Sequence, residues 1–232
     1  MKNNLLTPNG KPLRQIKSFA KRIGRITKSQ KFAIENYWDD YGIDFSNSHL
    51  VFKEIFLNDN PVVLEIGFGM GDSLVQMAKD NPKINYLGIE VHTPGIGNLL
   101  LKAHLEKLSN IRVIEYDAVE ILSSMIADNS LAGIQIFFPD PWHKTRHHKR
   151  RLVQEKFITL VSNKIIKMGF LHVATDWENY AEQILYVLSE AEYFKNKYDS
   201  YAPRPNFRPL TKFEKRGKRL DHGVWDIFFL KK

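Results

Sequence analysis

The sequence contains no cysteine among its 232 residues. Disulfide frameworks and thiolate metal sites are therefore excluded, and a reducing, cytoplasmic location is expected. The N-terminal stretch MKNNLLTPNGKPLR lacks the apolar core that secretion signals carry. No stretch approaches the roughly 20 apolar residues needed to cross a bilayer. We therefore expect a protein with no membrane association.

Acidic residues are missing from the first 34 positions. The same stretch contains nine basic residues, namely Lys2, Lys11, Arg14, Lys17, Lys21, Arg22, Arg25, Lys28 and Lys31. Their charge exceeds the net charge of +8 of the whole chain, so the remainder is close to neutral. A basic arm of this kind, taken as residues 1–31, suits a polyanion such as nucleic acid. The alternative is a solubilising tail that binds nothing.

From Pro61 onwards, apolar runs alternate with helical patterns. The runs predict strands at 62–68, 84–90, 111–117, 131–138, 169–176 and 224–230, and the helical patterns lie at 72–80, 94–108, 118–127, 151–167 and 179–191. Residues 32–57 are expected to form a strand or a short helix that leads into the body. Buried strands that alternate with helices indicate a mostly parallel sheet covered on both faces. We therefore predict a single doubly wound α/β domain over residues 32–232, with ligands at the carboxyl ends of its strands.

A glycine-rich turn follows the first predicted strand and reads Glu65-Ile66-Gly67-Phe68-Gly69-Met70-Gly71. Glycines such as Gly67 and Gly69 allow positive φ and let the backbone approach a ligand closely. The spacing G-x-G-x-G differs from the G-x-G-x-x-G that places a pyrophosphate at a helix N-terminus. The carboxylate of Glu65 would repel a phosphate and attract an ammonium group. The turn therefore favours S-adenosylmethionine, which has an ammonium and a sulfonium group and no phosphate.

Acidic residues end three of the predicted strands: Glu90, Asp117 and Asp176. Glu90 comes 23 positions after Gly67. This is close to the roughly 20-residue offset at which an acid meets ribose hydroxyls in such folds. Asp117 would face an adenine amino group. The alternative is that these acids are ordinary loop residues, but three of them beside a glycine turn favour a cofactor site.

The fourth predicted strand runs into Phe138-Pro139-Asp140-Pro141-Trp142-His143-Lys144. Each proline fixes its own φ and restricts the residue before it. Asp140 should therefore be held rigidly at the edge of the sheet, as alignment of a planar base with a methyl donor requires. Residues 143–151 contain five Lys or Arg and three His, which indicates contact with phosphates. The histidines lack metal-ligand spacing with acids, so no metal site is predicted.

Taken together, these elements resemble the bacterial tRNA (guanine-N7)-methyltransferase family. The resemblance spans nearly the whole chain and rests on the glycine turn, the Phe138–Lys144 run, Ala174-Thr175-Asp176, Thr211-Lys212-Phe213-Glu214 and the basic stretch from Ile16 to Arg25. It implies a Rossmann-like class I methyltransferase fold, with a seven-stranded, mostly parallel sheet and an antiparallel C-terminal strand. It also implies transfer of a methyl group from S-adenosylmethionine to N7 of guanosine 46 in the variable loop of tRNA.

The resemblance also assigns roles to individual residues. Cofactor contacts would come from Glu65, Gly67, Gly69, Glu90, Asp117 and Asp140, and Asp140 would be the catalytic residue. Substrate contacts would come from Lys144, Asp176, Thr211, Lys212, Phe213 and Glu214. No obligatory protein partner is implied, and either a monomer or a homodimer is compatible with the pattern.

Three other functions fit parts of the sequence. A nicotinamide-dependent oxidoreductase could use the same fold, but the glycine spacing and Glu65 argue against it. A non-catalytic RNA-binding protein would not need acids at all the expected strand ends. A methyltransferase for another RNA or for protein is the third alternative, and only the family resemblance specifies tRNA and N7.

Overall fold

The computed structural model describes residues 17–19, 24–210, 214 and 223–232. In these ranges the chain forms, in order, α1 (Lys28–Tyr41), α2 (Phe52–Phe56), β1 (Val62–Ile66), α3 (Asp72–Asp80), β2 (Asn85–Glu90), α4 (Thr93–Leu105), β3 (Ile111–Glu115), α5 (Ala118–Ser124), β4 (Leu131–Phe137), α6 (Glu155–Lys164), β5 (Ile165–Thr175), α7 (Glu178–Glu190), β6 (Phe194–Asn196) and β7 (Trp225–Lys231). A 3-10 helix, Thr145–Arg150, lies between β4 and α6. None of the helices in these ranges combines the length and apolar composition of a membrane span.

The strands form one sheet in the order β3-β2-β1-β4-β5-β7-β6. Strands β1 to β5 are parallel, whereas β7 runs antiparallel to both β5 and β6. The predicted mostly parallel sheet with an antiparallel C-terminal strand is therefore confirmed. Strands β2 and β3 lie on the outer side of β1, and strands β5, β7 and β6 lie on the outer side of β4. The carboxyl ends of β1 and β4 consequently border the crevice where such sheets bind ligands.

Two apolar clusters cover the two faces of the sheet. Successive side chains of β1 point to opposite faces, so Leu64 joins one cluster and Val63 the other. The first cluster includes residues of α5, α6 and α7, and the second includes residues of α1, α3 and α4. The central strands are buried on both sides and therefore appear in the sequence as continuous apolar runs.

Helix α1 spans the boundary drawn from composition between residues 31 and 32. It begins with a capping box, in which Thr27 Oγ1 accepts a hydrogen bond from the backbone N–H of Gln30 at 3.2 Å. The Gln30 side-chain oxygen in turn accepts from the Thr27 N–H at 2.9 Å. These reciprocal bonds satisfy two backbone donors at the start of the helix. The last basic residues of the N-terminal stretch, Lys28 and Lys31, therefore lie on a regular helix.

The boundary predicted between the fifth strand and the helix before it was wrong. The helix α6 ends at Lys164, and β5 begins at Ile165, which pairs with Leu131. The β-branched side chains of Ile165 and Ile166 favour extended backbone, which outweighed the helical pattern. A register shift between Leu131 and Gly133 interrupts this pairing. The three-residue strand β6 was not predicted, because so short a run has no clear alternation.

Candidate active site

A cavity of about 390 Å³ lies at the carboxyl ends of β1, β2 and β4. Its floor is apolar and aromatic, with Ile66, Ile89, Tyr116, Ile136 and Phe137 among the lining residues. Gly67, Gly69, Glu90 and Asp140 line it as well, so four of the predicted cofactor residues are brought together. Among the described residues, no lysine or arginine lines the cavity. Its chemistry therefore suits a ligand without phosphate groups.

The glycine turn needs its glycines for conformation and for space. Gly67 and Gly69 have φ of +75° and +59°, a region that side chains with a Cβ rarely adopt. A Cβ added at either position would meet no atom within 4 Å. Both residues line the cavity, so such a Cβ would project into open space. The turn thus leaves room for a ligand directly against the backbone.

Gly95 supports this turn from behind, which the sequence analysis missed. It lies in the first turn of α4, and a Cβ there would overlap the carbonyl oxygen of Gly69. Helix α4 can therefore approach the turn only because position 95 has no side chain. The available signal was a helix-disfavouring glycine placed directly after Pro94.

Glu90 ends β2 and organises the backbone around the cavity. Its Oε2 accepts from the Gly69 N–H at 2.7 Å, and its Oε1 accepts from the N–H groups of Val91 and His92 at 2.7 and 3.1 Å. Burial raises the pKa of Glu90 above its usual value, although these three hydrogen bonds oppose the rise. A carboxylate offers about four acceptor sites, so one remains for a ligand donor. Glu90 therefore connects the glycine turn to the cavity wall.

Glu65 lies on β1 behind the turn and does not line the cavity. Its side chain is buried in the sheet, where Gln135 Nε2 donates to Glu65 Oε2 at 3.0 Å. Burial raises the pKa of Glu65 to about 8, and the charge of Glu90 adds to this effect. In this arrangement Glu65 is mostly protonated near neutral pH. Glu65 therefore lies behind the glycine turn, where it would not contact a ligand in the cavity directly.

Asp117 follows β3 and begins α5. Its side chain accepts from the backbone N–H of Val119 at 3.0 Å and forms an ion pair with Lys17 at 3.6 Å. Asp117 lines a second groove of about 640 Å³ that adjoins the cavity, whereas its neighbours Tyr116 and Ala118 line the cavity itself. The carboxylate thus lies at the border between the two spaces.

The turn that carries Asp140 is held in an unusual backbone conformation. Phe138 has φ of +54° and Trp142 has φ of +49°, both in the left-handed region that non-glycine residues rarely adopt. The Phe138 N–H donates to the carbonyl oxygen of Ala174 on β5 at 2.7 Å. The Asp140 side chain is exposed and borders the cavity. Backbone strain of this kind persists only where the surroundings enforce it, and it is common at functional sites.

Arg151 is the residue that fixes this turn from the far side, and sequence reasoning counted it only as part of a basic run. It is buried, and its Nε donates to the carbonyl oxygen of Pro141 at 2.8 Å. Its other nitrogens bond to Asn179 and Gln183 of α7 at 3.0 and 2.5 Å. Burial lowers the pKa of Arg151 from its usual value. These contacts attach the Pro139-Asp140-Pro141 turn to a helix, which is why the aspartate has a defined position.

Residues 17–19 of the basic N-terminal stretch lie against the site. Trp142 Nε1 donates to the carbonyl oxygen of Ser18 at 3.1 Å. Ser18 and Phe19 both line the cavity. The aromatic ring of Trp142 also lies under the Arg150 guanidinium, 4.6 Å from its centre. The N-terminal stretch therefore contributes to the wall of the cavity.

Of the predicted substrate residues, the structure describes Lys144, Asp176 and Glu214, and none of the three lines the cavity. Lys144 is exposed and precedes the 3-10 helix, and Asp176 follows the last residue of β5. Glu214 is buried, and both of its oxygens accept hydrogen bonds from arginines, from Arg204 Nε at 2.9 Å and from Arg208 Nη1 at 2.7 Å. Thr211, Lys212 and Phe213 lie outside the described residues.

Comparison with known proteins identifies the family. Residues 59–227 match the family described as "Putative methyltransferase". The tRNA (guanine-N(7)-)-methyltransferases of Escherichia coli strain K12 and of Shigella flexneri are each 56% identical over 235 aligned residues, covering 99% of this chain and 98% of theirs. The chain belongs to the tRNA (guanine-N(7)-)-methyltransferase family. The family suggested by the glycine turn and the Pro-Asp-Pro-Trp sequence is thereby confirmed.

Solved structures confirm the class of fold. The 16S rRNA methyltransferase KamB superposes with a TM-score of 0.59 at 15% identity, covering 78% of this chain and 92% of that chain. A methyltransferase from Aquifex aeolicus, described as SAM dependent, gives a TM-score of 0.51 at 15% identity, covering 78% of this chain and 87% of that chain. At these identities the likeness concerns the class I methyltransferase fold alone.

Proposed function

We propose that this enzyme transfers the methyl group of S-adenosylmethionine to N7 of guanosine 46 in the variable loop of tRNA. The observation that carries the proposal is a cavity with acidic and apolar walls, and no described lysine or arginine, next to a rigidly held aspartate. The membership of the chain in the tRNA (guanine-N(7)-)-methyltransferase family supports the same substrate. Position 46 rests on the family resemblance alone.

The cavity fits the cofactor in size and in chemistry. Its 390 Å³ lie within the range of roughly 300–1,000 Å³ typical of small-molecule sites. Gly67 and Gly69 would let the amino acid part lie against the backbone, and the free acceptor site of Glu90 would receive a ribose hydroxyl. The adenine would lie between apolar side chains such as Ile89 and Ala118. When bound, S-adenosylmethionine supplies an electrophilic methyl group on a positively charged sulfur.

The reaction requires the protein to align the reacting atoms and does not require a strong base. Guanine N7 has a lone pair in the plane of the ring, so it can attack a methyl group without losing a proton. The methylated base becomes cationic. What accelerates such a step is alignment of the reacting atoms and a negative potential near the developing charge. Asp140 is suited to both tasks, because its carboxylate borders the cavity on a turn held by two prolines and by Arg151.

Asp140 would act as the catalytic residue by orienting the guanine ring. An ionised carboxylate only accepts hydrogen bonds, and the N1–H and amino edge of guanine offers donors. Asp176 would be a second acceptor for these guanine donors. It directly follows β5, which lies beside β4, the strand that leads to Asp140. Both oxygens of Glu214 already accept hydrogen bonds from Arg204 and Arg208. Glu214 would therefore act on guanine binding indirectly, through these two arginines.

The basic surface around the site would hold the tRNA phosphates. The 3-10 helix Thr145–Arg150 has no buried residue and is rich in basic side chains. Lys144 precedes it, and the basic N-terminal stretch joins the site through residues 17–19. Such contacts supply affinity and position but read no bases. A guanine that is engaged in tRNA tertiary structure would first have to be displaced, at a cost of a few kcal/mol.

A methyl-transfer assay with S-adenosylmethionine labelled in the methyl group tests this function. Unmodified tRNA should become labelled, and NAD should neither bind nor compete. Asp140→Ala should lower the rate by at least about 100-fold, while the affinity for S-adenosylmethionine changes little. Full activity of the variant would contradict the role of Asp140, and NAD binding would favour the oxidoreductase alternative.

A further inference from the structure

A buried network of charged side chains connects β7 with residues 201–210 and Glu214. At its centre, the fully buried Arg208 donates from Nε and Nη2 to the two oxygens of Asp226, at 2.9 and 2.8 Å. Its remaining nitrogen, Nη1, donates to Glu214 at 2.7 Å, and Arg204 binds the other oxygen of Glu214 at 2.9 Å. A guanidinium is suited to this position because its planar fork binds a carboxylate through two bonds and still has a donor left.

The charges of this network cancel within the described residues. Two arginines face the two carboxylates of Asp226 and Glu214. The fifth member, His172, donates from Nε2 to Asp226 at 2.7 Å, and burial lowers the pKa of His172, so the ring is neutral. Buried ion pairs add little net stability compared with apolar packing of similar volume, whereas the planar fork of one arginine holds two carboxylates at a defined spacing. A role in positioning therefore explains this network better than a role in stability.

Asp226 holds residues 201–210 at two points. Its side chain binds Arg208, and its backbone carbonyl accepts from the N–H of Ala202 at 2.7 Å. In the sheet, Asp226 pairs with Ala174, whose carbonyl oxygen accepts from Phe138. Ala174 of β5 therefore pairs with Asp226 of the network and also binds Phe138, two residues before Asp140.

Arg208 also touches the wall of the cavity. Its guanidinium lies 5.8 Å from the ring centres of both Phe137 and Phe138. Both phenylalanines line the cavity, and Phe138 is the strained residue two positions before Asp140. A single buried arginine therefore joins the segment that includes Glu214 to the turn that carries the catalytic aspartate.

We propose that Arg208, fixed by Asp226, is a positioning residue that sets Glu214 and the Phe138–Asp140 turn relative to each other for binding of the guanine. The proposal rests on the proposed methyl transfer to tRNA. It predicts a selective defect: productive use of tRNA depends on Arg208, whereas binding of S-adenosylmethionine does not, because Arg208 contacts the Phe138 side of the cavity and not the glycine turn or Glu90.

Steady-state kinetics and calorimetry of purified variants test the proposal. Arg208→Met should lower kcat/KM for tRNA by about 10- to 100-fold, while the dissociation constant for S-adenosylmethionine stays within about twofold. Arg208→Lys should resemble Arg208→Met, because a lysine keeps the charge but cannot bridge two carboxylates in the same geometry. Arg204→Gln, at a partly exposed position, should cause a smaller loss of the same kind.

Lys164→Met is the control for loss of a buried cation away from the cavity. Lys164 is also buried and donates to Asp128 at 2.6 Å, but it lies where β5 begins, at the opposite edge of the sheet. This variant should keep kcat/KM for tRNA unchanged and lose less stability than Arg208→Met, because its partner Asp128 is exposed. The proposal is overturned if Arg208→Met loses activity only in proportion to its unfolded fraction, if its cofactor affinity falls as much as its activity, or if Arg208→Lys is fully active.

Hydrogen exchange of residues 201–210 separates this proposal from the proposed function. Amide protection there should fall in Arg208→Met and remain in Lys164→Met, whatever the substrate of the enzyme. Unchanged protection in Arg208→Met would overturn the positioning role even if the wild-type protein methylates tRNA. Lost protection with no methylation of tRNA by the wild type would instead contradict the proposed function.

Discussion

Two acids near the glycine turn show how burial sets the behaviour of single residues. Asp140 is exposed at the mouth of the cavity, while Glu65 is buried inside the sheet. A buried carboxyl group favours its neutral form, because transfer of the charge out of water is costly. Glu65 therefore keeps its proton in the folded protein up to a pH of about 8. In the unfolded chain the same group ionises near 4.5.

Glu65→Gln should therefore stabilise the protein at alkaline pH. Between those two pKa values the folded protein binds more protons than the unfolded chain, so wild-type stability falls as the pH rises. Glutamine has no proton to lose and removes this penalty. The variant should gain on the order of a few kcal/mol over the wild type at about pH 8.5, and much less at about pH 5. Chemical denaturation at both pH values measures the difference, and a gap independent of pH would mean that Glu65 is ionised in the folded state.

The sequence predicts residues whose role follows from local spacing, and it misses those whose role depends on distant partners. Gly67, Gly69, Glu90 and Asp140 were placed at one site because parallel strands bring their carboxyl ends to one edge. Arg151 appeared as a member of a basic stretch, which is usually exposed, and Arg208 was not singled out. Their burial depends on Asn179, Gln183 and Asp226, and no local pattern links those residues to them.

At the scale of elements, helix α4 shows how packing determines a site from outside it. Gly95 lies against the glycine turn, and Gly97 lies against α1, where a Cβ would come within 2.6 Å of the Gln30 carbonyl oxygen. Each glycine is about 1 kcal/mol less favourable in a helix than an alanine at the same position. Their presence is explained by the close approach of two different neighbours.

Gly95→Ala should therefore impair cofactor binding although position 95 does not line the cavity. Overpacking of this kind costs roughly 1–3 kcal/mol, and if the glycine turn takes up this cost, the affinity for S-adenosylmethionine falls by about 5- to 150-fold. Gly97→Ala is the control, because it should weaken the packing of α1 on α4 and lower the melting temperature with little change in cofactor affinity. Calorimetric titration with S-adenosylmethionine measures the dissociation constant of both variants. Equal losses of affinity would show that the helix as a whole, and not its contact with Gly69, matters.

Sequence patterns predicted the existence of elements better than their ends. The bounds of α3 agree with the prediction, since a glycine turn precedes it and Asn81 follows. The end of α6 and the start of β5 did not, because β-branched residues continue directly from the helix without a turn. A strand or a short helix was expected from residue 32, but the start of α1 at Lys28 was missed because its capping box, Thr27 with Gln30, lies within a basic stretch that resembles an unstructured arm.

At the scale of the whole molecule, the strand order creates the crevice that holds the candidate active site. The sheet is built outward from β1 and β4, and this arrangement leaves a crevice between their carboxyl ends. One wall carries the glycine turn, and the other carries the Asp140 turn. Residues 17–19 and 201–210 then contact the second wall through Trp142 and Arg208. The proposed reaction needs all of these parts, because a methyl donor and a tRNA base must meet at one point.

The central claim is that this crevice brings guanine N7 to a methyl donor. Mass spectrometric mapping of unmodified tRNA, after incubation with the purified protein and S-adenosylmethionine, tests it most directly. The account predicts one methyl group per tRNA, on N7 of guanosine 46. Methylation at another atom or another nucleoside, or a tRNA that remains unmodified in the presence of bound cofactor, would contradict it.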